Sequence, residues 1–139
     1  MKLEKKNLIV ERPYKSVYKT EEGVVKIFVT DHPKSAVFNE ALNTGKVEET
    51  GLHIPKLKEV TQINGEWALV IENREGKTLE EMMKIDRANL EKYMSDFVDL
   101  QLKVQSKTAE TLPKLKDKLA NKIRNLKVLD ATERYELLT

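Results

Sequence analysis

KLKEVTQI (56–63), Asn64-Gly65 and EWALVIE (66–72) constrain the fold more than any other stretch of the sequence. Two β-prone runs flank an Asn-Gly pair, whose residues accept the positive φ angles of a type I′ turn, so the runs pair as a hairpin. Upstream, NLIVE (7–11), SVYKT (16–20) and VVKIFV (24–29) read as further strands, the last two joined by a tight turn at EEG (21–23). A helix lies between the third strand and the hairpin. Asp31 offers its cap, Pro33 falls in its first turn, Gly51 is a stop, and Val37, Ala41, Leu42 and Val47 recur at helical spacing. Three strands, one helix and two strands is not a parallel alternation. The expected fold is therefore α+β, a five-stranded antiparallel sheet with one packed helix.

After the hairpin the pattern is helical to the end. Thr78 with Glu81 makes a capping box, and Asp86 can cap a helix through Leu90, Met94, Phe97 and Val104. Thr111 and Pro113 open a helix with Leu115, Leu119, Ile123 and Leu126 on one face, and Asp130 with Glu133 starts another. Residues 103–112 are the expected linker. On the helix 88–104 the apolar residues spread over about 200° of the wheel at 100° per residue, wider than one small core requires. Each large apolar side chain left in water forgoes roughly 1.5–3 kcal/mol, so self-association through this helix is expected.

The 139 residues are one domain's worth of chain, with 25 Lys and Arg against 23 Asp and Glu. A net charge of +2 argues against general polyanion binding. The basic run Lys114, Lys116, Lys118, Lys122, Arg124 and Lys127 carries no interleaved aromatics and reads as a solvated face, so neither nucleic acid nor membrane is expected as a partner. His32 and His53 stand far apart and no cysteine assists them, which argues against a protein-ligated metal. Without cysteines or a signal-length apolar run, the chain is expected to be soluble and cytoplasmic.

VVKIF (24–28) raises the sharpest chemical question, because it sets Lys26 among strongly apolar neighbours. Its ammonium either points to solvent or points inward at something negative. Glu40 falls at the edge of the helix face made by Val37, Ala41 and Leu42, from where a carboxylate can reach back to the sheet. A buried ion pair seldom stabilises a fold more than apolar residues would, so such a pair points to a function.

Several segments resemble one family. GVVK is similar to the kinase-type V-A-I-K strand, and Glu40 to the glutamate on the helix after it. SVYKTEEGVVKIF, FNEALNTGKVEETGLHIPKLKEV and WALVIENREGKTLEEMM follow, in order and spacing, the pattern of bacterial aminoglycoside-phosphotransferase-like proteins, which share a variant of the protein-kinase fold. KLKDKLANKIRNL resembles the segment before that family's catalytic loop. The resemblance implies a kinase-like, nucleotide-binding small lobe over 1–75, and over 76–139 the first helices of an incomplete large lobe. It implies ATP with Mg²⁺ as cofactor, Lys26 on the α- and β-phosphates, and Glu40 holding that lysine. It further implies that Val17 and Val24 line the adenine face and that the backbone near Glu72, Asn73 and Arg74 meets the adenine edge.

Two departures modify this expectation. The loop that in the family is glycine- or serine-rich reads VERPYKS, where Pro13 lacks an N–H and Tyr14 is bulky, leaving Lys15 and Ser16 as partial replacements. No His-Gly-Asp follows Arg74, so the catalytic carboxylate and metal ligands of phosphoryl transfer are missing. The chain is thus expected to be inactive alone and to bind nucleotide weakly or not at all, with the missing large lobe as a partner. The alternative is a non-catalytic binding or regulatory module on the same scaffold.

Overall fold

In the computed structural model, which describes residues 3–138, Asn64 (φ 53°) and Gly65 (φ 86°) both occupy the left-handed region. Their turn joins β4 (Leu57–Ile63) to β5 (Glu66–Ile71), with Ile63 opposite Glu66 and Val60 opposite Leu69. This is the hairpin that Asn-Gly predicts. β1 (Leu8–Arg12), β2 (Lys15–Lys19) and β3 (Val24–Phe28) complete a five-stranded sheet of order β1-β2-β3-β5-β4. Every pairing is antiparallel. β3 is central, paired with β2 on one side and β5 on the other, and Lys26 is its one charged residue.

Period-two alternation distributes those apolar side chains. On one face Val25 and Ile27 pack with Ile63, Ala68 and Val70, and Leu3 and Tyr18 border them. On the other, Phe28 and Leu69 pack against Val37 and Ala41 of α1 (Lys34–Glu48), with Leu57, Val60, Trp67 and Ile71 around them. Phe38 meets the Trp67 ring edge-on at 5.0 Å between centroids. Leu42, expected on the inner face, is instead exposed; at 100° per residue it lies about 140° from Val37, whereas Ala41 lies about 40° away.

Helix ends differ from the expectations in instructive ways. Asp31 does not cap α1. Pro33 holds the N-cap position in an extended conformation (φ −58°, ψ 126°) without a side-chain cap, and its carbonyl accepts from Ala36 N–H at 2.9 Å. A proline disfavours helical geometry in the residue before it, so the helix starts after Pro33 and beyond the reach of Asp31. Gly51 (φ 74°) does lie just past the end, its N–H donating to the Glu48 carbonyl at 3.0 Å. Thr78 and Glu81 form the predicted capping box at the start of α2 (Leu79–Ile85). Asp86, however, does not cap α3 (Leu90–Gln105), because a 3-10 turn at Arg87–Asn89 intervenes. Its carboxylate instead accepts from Asn89 Nδ2 (2.9 Å) and Tyr93 OH (2.7 Å). These bonds, Asn89 first, hold Asp86 below the usual carboxylate range, and the Asp86 bond pushes the Tyr93 hydroxyl up.

The chain forms two compact units, one ending at Thr108 and the other starting at Ala109; the cut falls in the connection 106–114, which starts later than the expected linker 103–112 because α3 runs to Gln105. In the first unit α1 packs on β4 and β5, and α2 packs on α3. The second unit comprises α4 (Leu115–Arg124) and α5 (Ala131–Leu138), which pack together. α4 begins two residues after Pro113, with Lys114 rather than Thr111 at its N-cap. α5 opens on the predicted reciprocal box, Asp130 N–H to Glu133 Oε2 and Glu133 N–H to Asp130 Oδ1, both 2.9 Å. Among the described residues no helix is long and apolar enough to cross a membrane.

The β2–β3 turn presses against the end of β5. Gly23 (φ 144°) is buried, and a Cβ there would stand 2.3 Å from the Ile71 carbonyl oxygen. Gly65→Ala meets no neighbour within 4 Å. We expect Gly23→Ala to destabilise the fold by about 2–4 kcal/mol and Gly65→Ala by about 1 kcal/mol, the backbone strain without the clash. Urea denaturation midpoints check the ordering, and equal losses would contradict it.

Candidate functional site

Register places Lys26. Residues paired across antiparallel strands share a sheet face, and Lys26 pairs with Val17 on β2 and Leu69 on β5. Leu69 belongs to the α1-facing cluster, so Lys26 points to the side that α1 covers. Val10 continues the row beyond Val17, and Val60 continues it beyond Leu69. The next row on the same face is Lys19, Val24 and Ile71.

Glu40 follows Val37 by one helical turn and precedes Ala41, the two α1 residues buried on the sheet. Its carboxylate therefore overhangs the sheet, and Lys26 Nζ donates to Glu40 Oε1. The side chains keep 20% and 36% of their accessible surface, so the pair is shielded without being sealed. This is the inward ion pair anticipated from the sequence. Because α1 sits over β4 and β5, Val10, Val17 and Val24 form a half-buried apolar shelf on the β1–β3 side of Lys26. A cation beside an apolar shelf suits a ligand with an anionic end and a flat apolar body.

The segment after β5 is pinned to its neighbours. Glu72 N–H donates to the Lys56 carbonyl (2.8 Å), and its carboxylate accepts from Lys56 N–H (3.2 Å) and pairs with Arg74 (3.0 Å). The Lys56 N–H bond leads in holding Glu72 below the usual carboxylate range. Glu75 Oε1 accepts from Lys19 Nζ (2.8 Å) and Asn73 Nδ2 (2.7 Å), which tie the end of β2 to this segment and lower the Glu75 pKa.

Lys26, Glu40, Val17 and Val24 thus share one face, with residues 72–74 at the end of the adjacent strand. Lys15 lies on that face too, opposite Phe28, and its Nζ stands 5.4 Å from the Tyr14 ring centroid. Ser16 does not join them: it pairs with Ile27, so its side chain lies on the opposite face. Sequence reasoning also missed an aromatic stack. The Tyr14 and His32 rings lie 5.8 Å apart and the His32 and Phe28 rings 5.0 Å apart, both nearly parallel. Tyr14 carbonyl accepts from Val29 N–H at 3.1 Å, so the β1–β2 turn is fastened to the segment after β3. No local sequence pattern signals this stack, because it depends on the β2–β3 register that sets Lys15 opposite Phe28.

Mg²⁺ held with a nucleotide needs one or two protein carboxylates. The carboxylate facing Lys26 is Glu40, already engaged by the ammonium, and no group of three or more His, Cys, Asp or Glu able to hold a metal occurs among the described residues. A groove of about 810 Å³ along Glu4, Lys6, Asn7, Ile9 and Lys19 to Glu22 lies elsewhere and includes neither Lys26 nor Glu40. Compared with known proteins, the chain matches no family model, no curated protein and no solved structure.

A half-shielded pair lies between the surface and buried limits of ion-pair energetics. We expect Lys26→Met and Glu40→Gln each to cost about 1–2 kcal/mol, with the double variant costing about 1 kcal/mol less than the sum. Denaturation of the four proteins of this cycle measures the coupling, and strictly additive losses would contradict it.

Proposed function

We propose that this chain is the nucleotide-binding portion of a small-molecule phosphotransferase of the aminoglycoside-phosphotransferase-like class, built on a protein-kinase-like small lobe. The observation that carries the reading is the Lys26–Glu40 pair, a strand lysine oriented by a carboxylate on the helix that follows. Its setting supports it: a five-stranded antiparallel sheet with one helix inserted between β3 and β4. Glu40 fixes the ammonium on the sheet face, where the α- and β-phosphates of ATP would replace water around it. The shelf at Val17 and Val24 takes the adenine ring. Glu72 N–H is occupied by Lys56, so the adenine edge is left the Glu72 carbonyl and the amides of Asn73 and Arg74.

The same reading limits what the chain does alone. A phosphate cradle needs several backbone N–H groups converging on one point, but Pro13 lacks one and Tyr14 is committed to the stack with His32. Ser16 faces away. No His-Gly-Asp follows Arg74, so no carboxylate of that motif positions an acceptor hydroxyl. Phosphoryl transfer accordingly requires groups outside this chain, and in the resembled family a large lobe supplies them. The fastened turn and the missing motif also favour a second reading, a non-catalytic binding module on this scaffold.

A backbone amide NMR titration with ATP and Mg²⁺ tests the proposal. We expect shifts grouped at Val17, Val24, Lys26 and residues 72–74, an affinity weaker than about 100 µM, and no phosphate transfer to any acceptor. Submicromolar binding would show that the β1–β2 turn does cradle phosphate. Shifts confined to the groove at Glu4–Glu22, or none at roughly 10 mM ATP, would overturn the reading.

A further inference from the structure

Arg12 and Lys15 stand directly opposite each other where β1 turns into β2. Lys15 is in turn opposite Phe28, so both cations belong to the sheet face that carries Lys26. Directly opposite Cβ atoms lie roughly 4.5–5.5 Å apart, and diagonal neighbours such as Lys15 and Lys26 about 7–8 Å, within reach of long side chains. Arg12, Lys15 and Lys26 thus surround the half-buried Val10 and Val17 on the part of the face that α1 leaves uncovered.

Like charges directly opposite on a sheet destabilise it, and the nearby acids do not compensate this pair. Glu40 is engaged by Lys26 and Glu75 by Lys19. Glu11 pairs with Ser16, so its side chain lies on the opposite face. Among the described residues neither Arg12 nor Lys15 enters an ion pair. The turn between them is held in place, its Tyr14 carbonyl accepting from Val29 N–H and its Tyr14 ring stacked on His32. Two fixed, uncompensated cations beside an apolar floor, where solvent screens charge poorly, call for an anion.

We propose that Arg12 and Lys15, together with Lys26, bind a chain of linked phosphates, either the triphosphate of a nucleotide or an inorganic tripolyphosphate. Lys26 is anchored by Glu40 and meets one phosphate. Arg12 presents a planar fork to the oxygens of another, and Lys15 adds a point charge beside it. Two stations one sheet row apart match linked phosphates and not a single one. Side-chain cations here take the place of the backbone N–H groups that Pro13 and the fastened Tyr14 do not offer. The inference rests on the assignment of Lys26 to phosphate and needs nothing of the adenine shelf.

Calorimetry and amide NMR on the full chain, without metal, test it. We expect tripolyphosphate to bind at least about 10-fold more tightly than orthophosphate, with shifts at residues 12–17 and at Lys26. The double variant Arg12→Gln, Lys15→Gln should weaken tripolyphosphate and ATP by about 10-fold or more, and AMP, whose one phosphate is met at Lys26, by less than about 3-fold. Lys116→Gln with Lys118→Gln removes the same charge from the second unit and should change none of these. No tripolyphosphate binding at roughly 10 mM, equal affinities for tripolyphosphate and orthophosphate, or equal losses in the two double variants would each overturn the proposal. ATP bound no better than tripolyphosphate, without shifts at Val24 and residues 72–74, would uphold this site and remove the nucleotide from it. ATP bound with those shifts but untouched by Arg12→Gln, Lys15→Gln would uphold the nucleotide and overturn this site.

Discussion

Lys26 sits in the middle of the central strand, on the face that α1 covers, and a charge in that position needs an opposite charge above it. Much of the first unit can be traced to how this need is met. β3 is flanked by strands on both sides, so its alternate residues Val25 and Ile27 belong to one apolar cluster and Phe28 to the other. α1 answers with Val37 and Ala41 over Phe28 and Leu69, and with Glu40 over Lys26. One helical surface therefore closes the core and neutralises the lysine. Apolar residues at both positions would stabilise the fold at least as well, which makes the retained pair the strongest pointer to a ligand.

The position of α1 leaves part of that sheet face uncovered. Packed over β4 and β5, it leaves the β1–β3 part of the same face with a row of half-buried valines ending at a charged nitrogen. The Lys19–Glu75 bond holds the neighbouring strand end to the segment after β5. The Tyr14–His32–Phe28 stack works in the opposite sense. It immobilises the turn that would otherwise be free to fold over an anion, trading adaptability for a rigid sheet edge.

The features legible in the sequence were those set by local backbone chemistry. Asn64-Gly65 fixed its hairpin because few residue pairs tolerate two positive φ angles, and Thr78 with Glu81 satisfied its own helix start. Lys26 and Glu40 could be matched because a strand parity and a helix wheel are both short-range arithmetic. The failures arose where one local preference competed with another. Pro33 overrode Asp31 at the start of α1, and a 3-10 turn separated Asp86 from α3. Leu42 was grouped with Val37 by spacing although its wheel angle carries it off the face. Assigning Ser16 to a face, or stacking Tyr14 on His32, needed the β2–β3 register, which no local pattern encodes.

The claim on which the account rests is that Glu40 holds the Lys26 ammonium on the sheet face in readiness for phosphate. The ¹H–¹⁵N spectrum of the lysine ammonium groups, with Lys26 assigned through Lys26→Arg, addresses it most directly. The account predicts one ammonium signal protected from exchange with water, lost in Glu40→Gln, and displaced by ATP but not by adenosine. A Lys26 ammonium that exchanges as fast as the exposed Lys6, or that responds equally to ATP and adenosine, would contradict it.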